Sequence, residues 1–380
     1  MTKSLPKPAE AENFARQVID WATKYGRHDL PWQHDRTRYR VWISEIMLQQ
    51  TQVATVIPYY QRFMQSFPDI STLADASIDA VLDHWSGLGY YARGRNLHRA
   101  AREVVDNHAG EMPETLEDLM ALPGIGRSTA AAILSLADDQ PQAILDGNVK
   151  RVLARHFGID GYPGKSDVLK HLWAVSDALT PQKRTGRYNQ VMMDMGATLC
   201  TRTRPQCSNC PINTTCIAND NGAPENYPGK KPRKVIPVKT TVMLVLRNNK
   251  QAVLLERRPA SGIWGGLWSL PEVADAVIEN TQQLSDYLAA QGLGVRKNKN
   301  SDPLPKPLPI AAFRHTFSHY HLDISVVEVP VRQISASIMD RERTVWYNSG
   351  AWPGGMAAPM KKIERLLVTP GDQYETGELL

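Results

Sequence analysis

A mainly α-helical N-terminal part joined to an α+β C-terminal part is the fold class that the sequence predicts, and three observations carry it. Up to residue 217, apolar side chains recur at helical spacing between Gly and Pro breaks. Asn219 to Pro237 is then rich in Pro, Gly, Asn and Lys, the composition of a linker. Beyond it, T-T-V-M-L-V-L, a polar R-N-N-K turn and Q-A-V-L-L-E make a strand, turn and strand pattern. With 380 residues the chain exceeds one ordinary domain and can bury two substantial cores.

Taken in order, the spacing predicts helices over 9–25, 41–65, 77–84, 94–107, 115–121, 128–136, 149–157, 166–179 and 186–198. In the C-terminal part further strands are expected near 311–317, 320–329 and 344–348, with helices near 281–291 and 359–367. Residues 298–309 read as a second loose stretch, and no internal repeat is visible. The expected division is a helical domain over 1–217, a linker over 218–238, an α+β domain over 239–370 and a flexible acidic tail over 371–380.

The net charge of +5 permits a polyanionic partner without requiring one. Local clustering says more: between Pro181 and Cys210, Lys183, Arg184, Arg187, Arg202 and Arg204 stand against Asp194 alone. A second run, Lys230, Lys231, Arg233 and Lys234, reads in isolation as a solvated surface. The N-terminal M-T-K-S-L-P-K-P-A-E-A-E carries no apolar signal segment, and no apolar run reaches membrane-spanning length. A soluble, cytoplasmic protein with no membrane partner is expected.

Residues 122–130 read L-P-G-I-G-R-S-T-A. Pro123 and Gly124 stop one helix and Ser128 opens the next, so the chain should form helix, tight hairpin, helix. Gly124 and Gly126 lack Cβ atoms, and the positive end of the second helix could then meet an anion such as phosphate. An ordinary glycine C-cap followed by a new helix is the plain alternative.

All four cysteines fall at Cys200, Cys207, Cys210 and Cys216, spaced C-x6-C-x2-C-x5-C. In a long cytosolic chain such clustering points to one metal centre rather than to disulfides. Zinc and a 4Fe-4S cluster both accept four thiolates, and the spacing leaves both open.

Two carboxylates stand out. In R-V-W-I-S-E-I-M-L-Q-Q-T-Q-V, Ile43, Ile46, Met47, Val53 and Ile57 build one apolar stripe, while Glu45, Gln49 and Gln52 share another face. Beside Trp42, Ile46 and Met47, Glu45 should be partly desolvated, which favours its protonated form and suits a general acid. In A-I-L-D-G-N-V-K-R-V, Asp146 ends an apolar run and Asn148 is placed to cap a helix beginning at Val149. Beside that helix start, Asp146 is expected to be held as the anion. An exposed helix glutamate and a simple capping aspartate are the plain alternatives. One carboxyl biased to the acid and one to the anion is the division of labour that glycosidic bond cleavage requires.

Together with G-L-G-Y-Y-A-R-G-R-N, these five ordered motifs resemble the adenine DNA glycosylases of the MutY family, within the helix-hairpin-helix base-excision superfamily, over nearly the whole chain. The resemblance implies a helix-hairpin-helix glycosylase part of two helical subdomains with an iron-sulfur cluster, followed by a Nudix-like domain. It implies an enzyme that removes adenine mispaired with 8-oxoguanine or guanine from double-stranded DNA, acting as a monomer in the nucleoid. Strand-cutting relatives such as endonuclease III carry a lysine where this chain has Ser128, so a monofunctional glycosylase is expected. Glu45 would protonate adenine N7 and later help to activate water; Asp146, oriented by Asn148, would stabilise the oxocarbenium-like sugar. The adenine must first be flipped out of the duplex.

By the same resemblance Tyr90 is the wedge at the mispair, a role that Gly89 and the basic Arg93 and Arg95 favour over burial, and Gln49 contacts the bases left behind. The amides near Gly124, Gly126 and Ser128 would hold a DNA phosphate, and Lys150 is read chiefly as another phosphate contact. The four cysteines would bind a 4Fe-4S cluster, with Arg202 and Arg204 meeting the DNA backbone. E-R-R-P-A-S-G-I-W-G-G-L-W-S-L-P looks like the start of a Nudix fold, but residues 272–292 hold no R-E-x-x-E-E run, so pyrophosphate hydrolysis is not expected. In F-R-H-T-F-S-H-Y-H-L-D, the resemblance makes Phe317, Ser318 and His319 the 8-oxoguanine sensor. The rival readings make His315, His319 and His321 zinc ligands or ordinary strand residues.

Overall fold

The computed structural model describes residues 5–232, 235–259, 262–295, 307–317, 319–333, 343–348 and 352–368. Ser318, the tail over 371–380 and most of the 298–309 stretch lie outside the described residues. The helices of the N-terminal part are α1 (Pro8–Tyr25), α2 (Arg38–Leu48), α3 (Val53–Ser66), α4 (Ile70–Asp75), α5 (Ile78–His84) and α6 (Ala92–Asn107). They continue as α7 (Leu116–Ala121), α8 (Arg127–Asp138), α9 (Gly147–Phe157), α10 (Ser166–Leu179), α11 (Thr185–Asp194) and α12 (Ile217–Asp220). Among the described residues no helix is long and apolar enough to cross a membrane.

Met1–Ala76 and Arg93–Arg233 form one compact unit, and Ser77–Ala92 with Lys234–Leu380 form the other. Two features depart from the expected division. Residues 77–92, α5 and the glycine-rich turn after it, group with the C-terminal unit, and residues 218–220 are helical where a linker was expected. Two expected helices also change. The stretch 41–65 is two helices, interrupted at Gln49–Gln52, and 186–198 is α11 continued by a wider π-helical turn over Met195–Leu199.

In the first unit α8 is the hub: α2, α7 and α11 all pack on it. Ala130, Ala131 and Ala132 are buried there and admit close neighbours. A Cβ on Gly186 would stand 2.3 Å from the Ser135 carbonyl oxygen, so the start of α11 lies backbone to backbone on α8. Asp139, just past α8, fixes that junction by accepting hydrogen bonds from the amides of Arg184 (3.0 Å) and Gly186 (2.8 Å).

The second unit is an α+β body. Its strands are β1 (Val238–Arg247), β2 (Val253–Arg257), β3 (Trp268–Ser269), β4 (Glu272–Val273), β5 (Leu293–Val295), β6 (Leu308–Thr316), β7 (His321–Gln333) and β8 (Thr344–Tyr347). Helices α13 (Asp275–Glu279), α14 (Thr281–Ala290) and α15 (Ala358–Val368) accompany them. Among the described residues the sheet runs β3-β2-β1-β7-β5, with β1 and β7 parallel and the other pairs antiparallel. Alternating Val242, Leu244 and Leu246 of β1 meet Val327, Val329 and Val331 of β7 and Leu284 and Leu288 of α14 in one core. Leu308 and Pro309, expected in a loose stretch, begin β6, because the register with β7 extends to Leu308 opposite Glu328.

Candidate active site

Glu45 stands one turn before the end of α2, with Trp42, Ile43, Ile46 and Met47 buried around it. The helix begins under the Thr37 side chain, which accepts the Arg40 amide at 3.2 Å. It ends under a buried cation. Arg93 of α6 donates through Nη1 to the carbonyls of Ile46 (2.9 Å), Met47 (2.8 Å) and Gln49 (2.5 Å), and through Nη2 to Thr51 Oγ1 (3.1 Å). A positive charge on the last carbonyls of a helix is well placed. Gln50 then takes a left-handed backbone, φ +59°, and the chain turns away into α3. Arg93 therefore shapes the turn beside Glu45, where the sequence reading gave it to the Tyr90 wedge. Arg93→Met is expected to cost roughly 2–4 kcal/mol, since it strands several carbonyls in a buried place. Chemical denaturation measures this, and an unchanged midpoint would remove Arg93 from the role.

Asp146 is itself the N-cap of α9. Its Oδ1 accepts the Val149 amide at 2.8 Å and its Oδ2 accepts Asn148 Nδ2 at 3.1 Å. The expected capping role of Asn148 is thereby corrected: α9 starts at Gly147, so Asn148 is already inside the helix and serves as a donor to Asp146. Arg151 holds Asn148 in turn, donating to its Oδ1 at 2.9 Å and to the carbonyls of Cys200 (2.8 Å) and Gly196. A Cβ on Gly196 would stand 2.4 Å from Asn148 Cβ, so this close approach requires glycine. Ser128 anchors the other side, its Oγ accepting the Leu145 amide at 2.9 Å.

Glu45 and Asp146 open onto one cavity of about 430 Å³, within the ~300–1,000 Å³ range of small-molecule sites. Gln49, Ser128, Thr129 and Asn148 share its wall, and Gln49 Nε2 donates to Thr129 Oγ1 at 3.4 Å. Burial pushes the Glu45 carboxyl up from the usual range to about 8, and the negative charge of Asp146 adds to the rise. The acid bias expected from the sequence is thus present. Gln52 leaves this wall and becomes the N-cap of α3.

The sequence reading missed Arg27, Trp32, Gln190 and Met193 in the same wall. Arg27 pairs with the buried Asp194 at 2.6 Å, and Gln190 Nε2 donates to Asp194 Oδ1 at 3.0 Å. The i, i+4 spacing of Gln190 and Asp194 on a predicted helix was a legible signal for that pair. Nothing local marked Arg27 or Trp32.

At the hairpin, Gly126 is the N-cap of α8 without a side-chain cap, and the space where its Cβ would lie is open. Gly124 differs: its φ is +82° and a Cβ would stand 2.9 Å from Asn96 Cβ, so close packing on α6 also demands glycine there. Tyr90 is 51% exposed with φ +49°, in a turn where Trp85 Nε1 donates to the Gly89 carbonyl at 3.2 Å. Core packing is therefore excluded for Tyr90.

Cys200, Cys207, Cys210 and Cys216 all line one small pocket with Arg155 and Leu199. Arg155 Nη1 donates to Cys200 Sγ at 3.2 Å and to the Thr201 carbonyl at 2.7 Å, while Nη2 and Nε reach the carbonyls of Arg202 (3.0 Å) and Tyr227 (3.1 Å). Among the described residues no three His, Cys, Asp or Glu side chains close on a single metal point. Four thiols on one pocket are a donor set that zinc and a 4Fe-4S cluster both accept.

In the second unit Phe317 and Tyr320 close the β6–β7 hairpin, the Phe317 amide donating to the Tyr320 carbonyl at 2.9 Å. Phe317 packs among Trp264, His315 and Tyr320 with ring centroids 5.1, 4.6 and 4.8 Å away, while His319 is exposed. Of the expected trio, Ser318 lies outside the described residues. Among those described, the histidines of this hairpin form no three-ligand metal group. Lys150 and Arg202 line a different depression from the catalytic cavity, and Arg204 is exposed, its amide donating to Glu225 Oε1 at 2.7 Å.

Comparison with known proteins accords with this geometry. Residues 43–177, which include both carboxylates, match the HhH-GPD superfamily base excision DNA repair protein family, and residues 242–365 match the NUDIX domain. The adenine DNA glycosylase of Buchnera aphidicola (subsp. Acyrthosiphon pisum) is 37% identical over 92% of this chain and 96% of its own. That of Homo sapiens is 36% identical, covering 84% of this chain and 67% of the human one. Among solved structures, a thermostable thymine-DNA glycosylase is 27% identical with a TM-score of 0.51, over 56% of this chain and 97% of that one.

Proposed function

Since this chain belongs to the adenine DNA glycosylase family of base excision repair, we propose that it hydrolyses the N-glycosidic bond of adenine opposite 8-oxoguanine or guanine, without cutting the strand. The observation that carries this reading is the single cavity shared by Glu45, whose carboxyl is pushed up to about 8, and Asp146. The adenine nucleotide enters it flipped out of the duplex, since neither carboxyl reaches a stacked base.

Glu45 transfers its proton to adenine N7, and the C1′–N9 bond breaks as neutral adenine leaves. Asp146, holding two donated hydrogen bonds, faces the cationic sugar and lowers its energy. Water then adds to C1′ and gives its proton to the Glu45 carboxylate, which restores the acid. Asn148 keeps Asp146 aimed. Tyr90 acts as the wedge at the mispair, Gln49 contacts the bases left behind, and the amides at Gly126 and Ser128 take the strand's phosphate. Phe317, Ser318 and His319 sense the opposite base. Cys200, Cys207, Cys210 and Cys216 would hold a 4Fe-4S cluster, which when bound would brace the loop of Arg202 and Arg204 for the DNA backbone.

Ser128 offers a neutral hydroxyl that accepts the Leu145 amide, and among the described residues no lysine lines the cavity to form a Schiff base. A duplex with one adenine opposite 8-oxoguanine is expected to yield free adenine, with strand breaks appearing only after alkali. Borohydride should trap no stoichiometric adduct. Direct nicking, or trapping at the level of base release, would refute the monofunctional assignment.

A further inference from the structure

A second, larger depression of about 970 Å³ lies in the first unit beside the catalytic cavity, and Gly147 lines both. Its cationic wall is Lys150, Arg151, Arg155, Arg202, Lys230 and Lys231. Two of these are committed inward: Arg151 to Asn148 and the Cys200 carbonyl, Arg155 to the cysteine loop and the Tyr227 carbonyl. The carboxylate on the wall, Glu225, accepts the Arg204 amide. Among the described residues Lys150, Arg202, Lys230 and Lys231 are left with no ion-pair partner.

Lys230 and Lys231 belong to a stretch that composition alone marks as a loose linker, yet their approach is fixed. Arg155 Nε holds the Tyr227 carbonyl at 3.1 Å, and a Cβ on Gly229 would stand 2.7 Å from the Gly161 carbonyl carbon. Backbone lies on backbone there, so the segment is pinned flat to the helical unit immediately before the two lysines. The result is a groove with four uncommitted positive charges whose one end meets the catalytic cavity at Gly147.

We propose that Lys230 and Lys231, with Lys150 and Arg202, form a phosphate track for the adenine-bearing strand, gripping the backbone immediately beside the extruded nucleotide. This rests on the glycosylase reading and extends the DNA contact to residues outside the hairpin and the cysteine loop. A nucleotide seated in the cavity has its phosphodiester chain leaving past Gly147, and the groove begins there. Lysine ammonium groups suit this as point charges against phosphate, carrying no base readout.

The test is the salt dependence of binding to a duplex carrying an uncleavable adenine analogue opposite 8-oxoguanine. Each lost phosphate contact lowers the slope of log affinity against log salt by about 0.9, so K230Q/K231Q is expected to lower it by about 2. Affinity at low salt should fall on the order of tenfold, with the melting temperature unchanged because both side chains are exposed. K7Q/K24Q removes the same charge from the N-cap and last turn of α1, outside the groove, and should keep the wild-type slope. A slope in K230Q/K231Q equal to wild type, or a loss matched by K7Q/K24Q, would overturn the track. If wild type frees no adenine from a cleavable duplex, the glycosylase reading fails instead, which this binding slope does not measure.

Discussion

Asp146→Asn should lose base release by roughly 10²–10⁴-fold while keeping its fold and its DNA binding. Asparagine caps a helix about as well as aspartate, so the hydrogen bond to the Val149 amide has a replacement and α9 keeps its start. What asparagine lacks is the negative charge that the proposed mechanism sets against the sugar as the glycosidic bond opens. The substitution therefore separates the two roles that this residue combines, cap and anion. Melting temperature reports the first, and single-turnover adenine release reports the second. A variant that melts like wild type and still frees adenine at the wild-type rate would reduce Asp146 to a cap.

Glu45→Gln carries the other large effect, and its stability should move opposite to its activity. Glutamine fills the same space but has no proton to give, so base release should again fall roughly 10²–10⁴-fold. In the folded chain the Glu45 carboxyl is raised from its ordinary 4.5 to about 8. The native state thus binds more protons than the unfolded chain between those values, and stability falls as pH rises through that window. Removing the carboxyl removes this penalty. Glu45→Gln should gain on the order of 2–4 kcal/mol over wild type near pH 8, with no gain near pH 4. Because the charge of Asp146 contributes to the rise, the gain should shrink when Glu45→Gln is made in an Asp146→Asn background. Denaturation curves at the two pH values measure both statements. Equal stability of Glu45→Gln and wild type at pH 8 would mean that the carboxyl is not held in the acid form.

The main residues of the candidate site were legible because their signals are local. Glu45 sits beside a run of large apolar side chains, Asp146 precedes a helix start, and four thiols share one short segment. What the sequence concealed was set by distant contacts. The apolar spacing runs unbroken from Ile43 through Ile57, yet the helix stops at Leu48 because Arg93, more than forty residues away in the chain, caps it and Gln50 turns left-handed. Asp146 and Asn148 are both good N-caps, and the choice between them rests on where α9 begins. Gly196, distant in the chain, then packs against Asn148, which Arg151 of the same helix also holds. Arg27 and Trp32 reach the cavity through tertiary packing alone, and no periodicity marks them. The grouping of Ser77–Ala92 with the C-terminal unit was equally hidden, since α5 reads like any other helix of the N-terminal part.

The most direct measurement is adenine freed in a single turnover from a duplex with adenine opposite 8-oxoguanine, followed across pH. An acid and an anion acting together in one cavity predict release at neutral pH that declines as pH rises through about 8 and disappears in Asp146→Asn. No free adenine at any pH, or a rate that stays flat through pH 8 and beyond while Glu45 is intact, would contradict it.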